Sequence, residues 1–291
     1  MKVIGLGDNI IDKYIHTKTL YPGGNCVNFA VHAKKLGVTS AYLGVFGSDE
    51  NGDYLMDTLK QLEVDISHSR QYEGENSICE VGLINGERVF LGWNEGGISK
   101  ENPIQLMPND LDYLKEFQLI HSSCYSMLPE SEFIKIESLD TLVSFDFSED
   151  SEYRSDKYLK KFCPYIDLAQ FSGPEMTEQE IEQLIQSTQN AGAKFVLVTR
   201  GTKGSIFFDG NTLYKGTAEL VTPIDTMGCG DSFVTAFVIF LLENGWTKEI
   251  APTSDIIEKG LKKAAQYSAQ NCFVEGAFGR SKRFDECVQK N

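Results

Sequence analysis

Asp225-Thr226-Met227-Gly228-Cys229-Gly230-Asp231-Ser232-Phe233 runs straight into a mostly apolar stretch that reaches Leu242. Two glycines around one small residue let a backbone approach a ligand closely. A helix that starts there and is apolar on every side is normally buried. Its first turn then opens free amides, and the positive end of the helix dipole, into the protein. Such a mouth attracts an anion without any Lys or Arg. Asp231 stands among those amides, and its local setting fits two roles. It caps its own helix beside a tight turn, or it takes the proton of a hydroxyl that attacks a phosphate.

Working outward, short β-branched or apolar runs alternate with amphipathic stretches. Val3–Leu6, Ala41–Val45, Leu119–Ser122, Leu142–Phe145, Ile166–Phe171 and Phe195–Thr199 read as strands. Asn25–Leu36, Tyr54–Leu62, Glu130–Ser138, Tyr153–Phe162 and Glu178–Gln189 read as helices between them. This rhythm predicts an α/β fold, doubly wound, with a mostly parallel sheet flanked by helices. Ser77–Ile84 and Arg88–Trp93 flank Asn85-Gly86, a pair that favours a tight hairpin turn. That hairpin, around residues 77–93, is an excursion from the main sheet, either a lid or an edge decoration. Gly204–Phe208 and Thr212–Lys215 form a second hairpin, and a further helix covers roughly Ile256–Phe273. No linker or repeat divides the 291 residues, so one domain spanning 1–291 is expected.

With 42 acidic and 27 basic residues the chain carries a net charge of −15, which disfavours nucleic acid and anionic membrane surfaces as partners. The N-terminal stretch lacks the apolar core of a signal peptide, and the Phe233–Leu242 run is too short to span a bilayer. Cys26, Cys79, Cys124, Cys163, Cys229, Cys272 and Cys287 are scattered, with no Cys-x-x-Cys pair. Reduced thiols in a cytoplasmic protein are the simplest expectation. His16, His32, His68 and His121 are too dispersed to suggest a metal site.

Asp225–Phe233 resembles the C-terminal signature of the ribokinase-like (PfkB) sugar kinases, D-T-x-G-A-G-D-x-F. The resemblance implies Asp231 as catalytic base and the amides of Gly228, Cys229 and Gly230 as the hole for the transferred phosphoryl group. Cys229 departs from the family's usual Ala, and its thiol exposes the site to oxidation. Pro22-Gly23-Gly24-Asn25-Cys26-Val27-Asn28-Phe29-Ala30 reads locally as a turn with Asn25 capping a helix. It also resembles the family's G-G-x-x-x-N-x-A element. With Asp12, placed at the carboxyl edge of the first strand, Gly23, Gly24, Asn25 and Asn28 are then expected to hold the acceptor sugar.

On the nucleotide side, Thr199, Gly201 and Gly204 are similar to the family's T-x-G-x-x-G turn beside ATP. Ser172-Gly173-Pro174-Glu175 occupies the place of an N-x-x-E element, with Ser172 at the usual Asn and Glu175 expected to organise Mg2+ through water. Gly276-Ala277 resembles the terminal G-A near adenine, where the family also implies K+ as an activator. The resemblance covers residues 3 to about 281 and implies ATP and a small-molecule sugar as partners, with a homodimer formed through paired lids as a further expectation.

Gly5-Leu6-Gly7 opens like a dinucleotide fingerprint but lacks its third glycine, and no Walker A string occurs. A non-catalytic sugar sensor on the kinase fold is the alternative from another class, and Asp231 with Glu175 argues against it. Within the family, Gly7-Asp8-Asn9, Tyr21–Asn25, Arg88-Val89-Phe90, Glu95-Gly96 and Asp146-Phe147-Ser148 are most similar to fructoselysine 6-kinases. The expected reaction is ATP-dependent phosphorylation of the 6-hydroxyl of a fructosamine, with Arg88 and Glu95 near the acceptor. Fructokinase or ribokinase activity is the alternative.

Overall fold

The structure, a computed structural model, describes residues 1–84 and 87–284, apart from the side chains at 83, 84, 87 and 88. The Asn85-Gly86 turn and the Arg88 side chain therefore lie outside the described residues.

Among the described residues, fourteen strands form two sheets. In chain order they are β1 (Lys2–Gly7), β2 (Ile10–Tyr14), β3 (Thr19–Gly23), β4 (Thr39–Gly47), β5 (Arg70–Tyr72), β6 (Ile78–Ile84), β7 (Glu87–Trp93), β8 (Leu119–Ser123), β9 (Leu142–Asp146), β10 (Leu168–Ser172), β11 (Phe195–Thr199), β12 (Ser205–Phe208), β13 (Leu213–Gly216) and β14 (Lys282–Arg283). The helices are α1 (Asn25–Lys35), α2 (Glu50–Gln61), α3 (Ile98–Glu101), α4 (Pro108–Leu114), α5 (Glu130–Glu137), α6 (Asp156–Phe162), α7 (Glu178–Asn190), α8 (Cys229–Glu243) and α9 (Ser254–Asn271). The large sheet has the order β13-β12-β11-β10-β9-β8-β1-β4-β5 and is parallel except at the β11–β12–β13 edge.

Side chains alternate across a strand, and both faces of this sheet are buried. Val196 and Val198 join the core packed by α5, α6 and α7. Phe195 and Leu197 point into the core shared with α1, α8 and α9. This is why the strands read as continuous apolar runs rather than alternating ones. As its composition requires, α8 is enclosed, with Phe233 through Ile239 all buried. Its neighbour α9 comes close because Gly260 has no side chain; a Cβ there would stand 3.1 Å from the Phe237 ring. Truncating the fully buried Phe237 to Ala would cost about 3–5 kcal/mol.

The second sheet has the order β14-β3-β2-β6-β7. The β6–β7 hairpin lies in it, but so does a β2–β3 hairpin that the residue pattern does not announce. Its turn carries no Asn-Gly or Asp-Gly, and Lys18 supplies the left-handed residue at φ 50°. Asp12 therefore sits in the middle of β2, not at the carboxyl edge of the first strand. No described helix is long and apolar enough to cross a membrane.

Candidate active site

The start of α8 separates two regions. On one side is an open cleft of about 310 Å³, between the ends of β10 and β11, residues 217–223 and the α8–α9 pair. Ser172, Thr199, Gly201, Gly204, Cys229 and Gly230 line it. Gly204 (φ 87°) has to be glycine, since a Cβ would fall 2.1 Å from the Gly216 carbonyl oxygen. Gly201 (φ 56°) faces open space. Glu175 is exposed, one residue beyond the cleft-lining Pro174. Ser172 anchors its turn by donating N–H to the Ser148 carbonyl at 3.0 Å.

Gly228 is the N-cap of α8 in the left-handed region, φ 68°. A Cβ there would meet Ala277 Cβ at 2.7 Å, so the loop can pass only as glycine. The Cys229 N–H is taken by the Thr226 carbonyl at 3.3 Å and the Ser232 N–H by the Gly228 carbonyl at 2.9 Å. The N–H groups of Gly230 and Asp231 remain at the helix mouth, among the donors a first helical turn leaves without intrahelical partners. Nothing lies within 4 Å of where a Gly230 Cβ would be. Asp225 ties this loop to its surroundings, accepting from Met227 N–H (2.9 Å), Gly276 N–H (2.9 Å) and Tyr14 OH (3.1 Å). Gly276 thus braces the loop, packed on the Tyr21 ring, and is not part of the cleft lining.

On the other side of the helix mouth lies a set of carboxyl groups. Asp231 is buried and accepts from Asn28 Nδ2 at 2.7 Å. Burial, then the charge of Asp146, push its pKa up to about 8. Asp12 and Asn28 are also buried; a Cβ on Gly23 would stand 3.2 Å from Asp12 Oδ2 and 3.7 Å from Asn28 Oδ1. That Asn28 oxygen is buried with no hydrogen-bond partner. A buried acceptor of this kind is costly unless a ligand or water donates to it.

Asp146, at the end of β9, accepts from Asn25 Nδ2 (2.8 Å) and Ser148 N–H (2.7 Å). Burial raises its pKa to about 6. Asp8 accepts from Asn25 N–H (2.6 Å) and from Ser123 Oγ (2.7 Å). Asn25 is therefore the first residue of α1 and not its cap. Gly24 (φ 107°) is the N-cap, and the Asp8 carboxylate serves the exposed amide. Asp8 and Asp146 belong to the site but were not singled out as contacts from the residue pattern. Glu95, by contrast, is exposed at φ 57° and pairs with Lys100. Beside the carboxyl groups, Tyr125 OH donates to Asp150 Oδ2 at 2.8 Å, and Trp93 stands edge-on to Tyr125 at 6.5 Å.

The pfkB family carbohydrate kinase model matches residues 9–272. The chain is 38% identical over 280 residues to the fructosamine kinase FrlD of Bacillus subtilis (strain 168), covering 96% of this chain and 93% of that one. It is 31% identical over 242 residues to the fructoselysine 6-kinase of Escherichia coli (strain K12), covering 83% and 88%. Among solved structures, the Arabidopsis thaliana ribokinase complexed with ribose and ATP superposes with a TM-score of 0.77 at 20% identity, over 95% of this chain and 94% of that one. The fructokinase with bound ATP from Xylella fastidiosa gives 0.77 at 18%, over 95% and 94%. The likeness of fold, the family match along most of the chain and a helix mouth set between a cleft and buried carboxyl groups agree: the chain is a carbohydrate kinase and belongs to the pfkB family.

Proposed function

We propose that the kinase transfers the γ-phosphoryl group of ATP to the primary 6-hydroxyl of a fructosamine such as fructoselysine, with Asp231 as the general base. The observation that carries this is the position of Asp231: its helix mouth lines the cleft through Cys229 and Gly230, while its carboxyl group bonds Asn28 on the far side. ATP in the cleft would direct its terminal phosphate at the Gly230 and Asp231 amides. A sugar held by Asp12, Asn28 and the bare backbone of Gly23 and Gly24 would place a hydroxyl beside the carboxyl group. The hydroxyl oxygen bonds to phosphorus as the bond to the β,γ-bridging oxygen breaks, ADP leaves, and the hydroxyl proton goes to Asp231. The Asn28 oxygen is then suited to accept from a sugar hydroxyl.

No group of three or more His, Cys, Asp or Glu able to hold a metal occurs among the described residues. Magnesium is usually held by phosphates and waters with one or two carboxylates, and Glu175, beside the cleft-lining Pro174, is the carboxylate we assign to it. Magnesium bound with ATP would neutralise charge on the phosphate oxygens. Activation by potassium stays an expectation of the resemblance, and no step depends on it. We read the chain as one kinase domain, with the small sheet as a lid. Its Phe90 and Leu91, 71% and 54% exposed, would suit pairing with a second copy.

The fructosamine assignment is supported by the 38% identity to a fructosamine kinase and by local charge. An amine-bearing sugar brings a cation to Asp8, Asp146 and Asp150, carboxyl groups that favour one. The test is a panel of fructose, ribose, nucleosides and fructosamines assayed with ATP and magnesium. The expected result is a kcat/KM at least tenfold higher for fructoselysine than for fructose. Preference for free fructose or ribose would refute the substrate class, and binding of ATP without turnover of any sugar would favour a sensor.

A further inference from the structure

Cys229 and Cys272 are half-buried, whereas Cys26, Cys79, Cys124 and Cys163 are buried. Both half-buried residues line the cleft, and their sulfurs stand 3.2 Å apart. A disulfide is about 2.0 Å long, so roughly 1 Å of travel would join them. Their backbones are held to the same frame. Ser268 Oγ donates to the Cys229 carbonyl at 2.8 Å, Cys272 N–H donates to the Ser268 carbonyl at 3.2 Å, and the Cys272 carbonyl accepts from Ile224 N–H at 2.8 Å. Cys229 is the first residue of α8, adjacent to the open amides. Cys272 is the C-cap of α9. A bond between them would clamp the helix mouth to the end of α9 across the wall of the cleft.

We propose that Cys229 and Cys272 are an oxidative modification site, a dithiol that a peroxide closes to a disulfide and that thereby shuts the nucleotide cleft. One sulfur attacks the peroxide O–O bond, forming a sulfenic acid and releasing one water. The second sulfur attacks the sulfenic sulfur, the S–S bond forms and a second water leaves. The two thiols lose two electrons and two protons in all, and the peroxide is reduced to two waters. Burial, followed by the hydrogen bond with Cys272, pushes the Cys229 thiol well above its usual range, so the reaction is slow; the half-burial of both residues favours a small oxidant over a bulky one. Pulling a positioned group by about 1 Å is enough to cost two orders of magnitude in a phosphoryl-transfer site. This inference concerns the nucleotide cleft and holds whichever sugar is the acceptor.

The experiment treats the purified protein with hydrogen peroxide, maps its disulfides by peptide mass spectrometry, and measures ATP binding by titration calorimetry before and after. The expected results are a linkage between the peptides bearing Cys229 and Cys272, a fall in ATP affinity of tenfold or more, and recovery with dithiothreitol. Cys229→Ala and Cys272→Ser, each compared with its own untreated affinity, should change less than about twofold on the same treatment. Two results overturn the proposal: no such linkage in the wild-type protein, or an equal loss of affinity in wild type and variants. The mapping on the wild type stands even if a variant fails to fold.

Discussion

Asp231→Asn should make the protein more stable above neutral pH while removing most of its turnover. The carboxyl group is pushed from an ordinary value of 3.8 up to about 8 by burial and by Asp146. An acid whose folded pKa is raised contributes stability that is present below its unfolded pKa and is lost as pH rises through the folded value. Each pH unit in that window costs about 1.4 kcal/mol. Over the whole window from 3.8 to about 8 the full cost is about 6 kcal/mol, of which about 4 kcal/mol falls between pH 5 and pH 8. Relaxation around the buried carboxyl group offsets part of this, so about 2 kcal/mol of growth between pH 5 and pH 8 is expected to remain. An Asn carbonyl can still accept from Asn28, and it cannot ionise. Urea unfolding of both proteins at pH 5 and pH 8 measures the difference. The stability gap should widen in favour of the variant at the higher pH, and a gap of constant size would refute the burial argument. In the same variant turnover should fall about a hundredfold, the scale of general-base catalysis. In the wild type kcat/KM should rise with pH toward about 8 as the base ionises. Near-normal turnover in the variant would remove Asp231 from the reaction.

Glu175→Gln should raise the magnesium concentration needed for half-maximal rate, and an unchanged requirement would take Glu175 out of metal binding. Gly228→Ala forces a side chain into left-handed backbone and onto Ala277, so ATP affinity should fall at least tenfold by titration and unfolding should cost about 1–3 kcal/mol less. Amide exchange along β6 and β7 should slow when the preferred sugar is added, as expected of a lid that closes. Equal exchange with and without sugar would make the second sheet a static edge.

The parts of this protein that could be read from residue order are those in which local pattern and global role coincide. Phe195–Thr199 is apolar on both faces because it is covered on both, and Asp225–Phe233 is at once a turn and a helix start whose Gly230 and Asp231 amides stay at the mouth. The β2–β3 hairpin escaped because its turn at Ile15–Lys18 has no glycine, and because Thr19–Gly23 runs into the glycine pair that announces the next helix. Asp8 and Asp146 escaped as site residues for a different reason. Each sits in a short string that marks the subfamily resemblance but assigns no contact, and the Asn25 side chain and backbone join them only after the chain has brought β1, β9 and α1 together. The same is true of Cys272, whose meeting with Cys229 no spacing foretells. Gly276 was legible as a motif, yet its part in bracing Asp225 belongs to tertiary structure alone.

The smaller sheet also bears on how the molecule assembles. Its five strands come from three separated stretches of chain, with β2 pairing β6 in parallel and Leu20 of β3 pairing Lys282 of β14. Almost none of its hydrogen bonding between these stretches is local. Each such pairing requires a long loop to close before any ladder rewards it, which slows formation. The βα units of the large sheet join neighbours in sequence and can condense first. The smaller sheet would then be the last element to set and the first to loosen, so its loss on mild heating should precede the melting of the main body. A partly unfolded population with the cleft beside α8 intact and Asp12 released with β2 is the intermediate this topology favours.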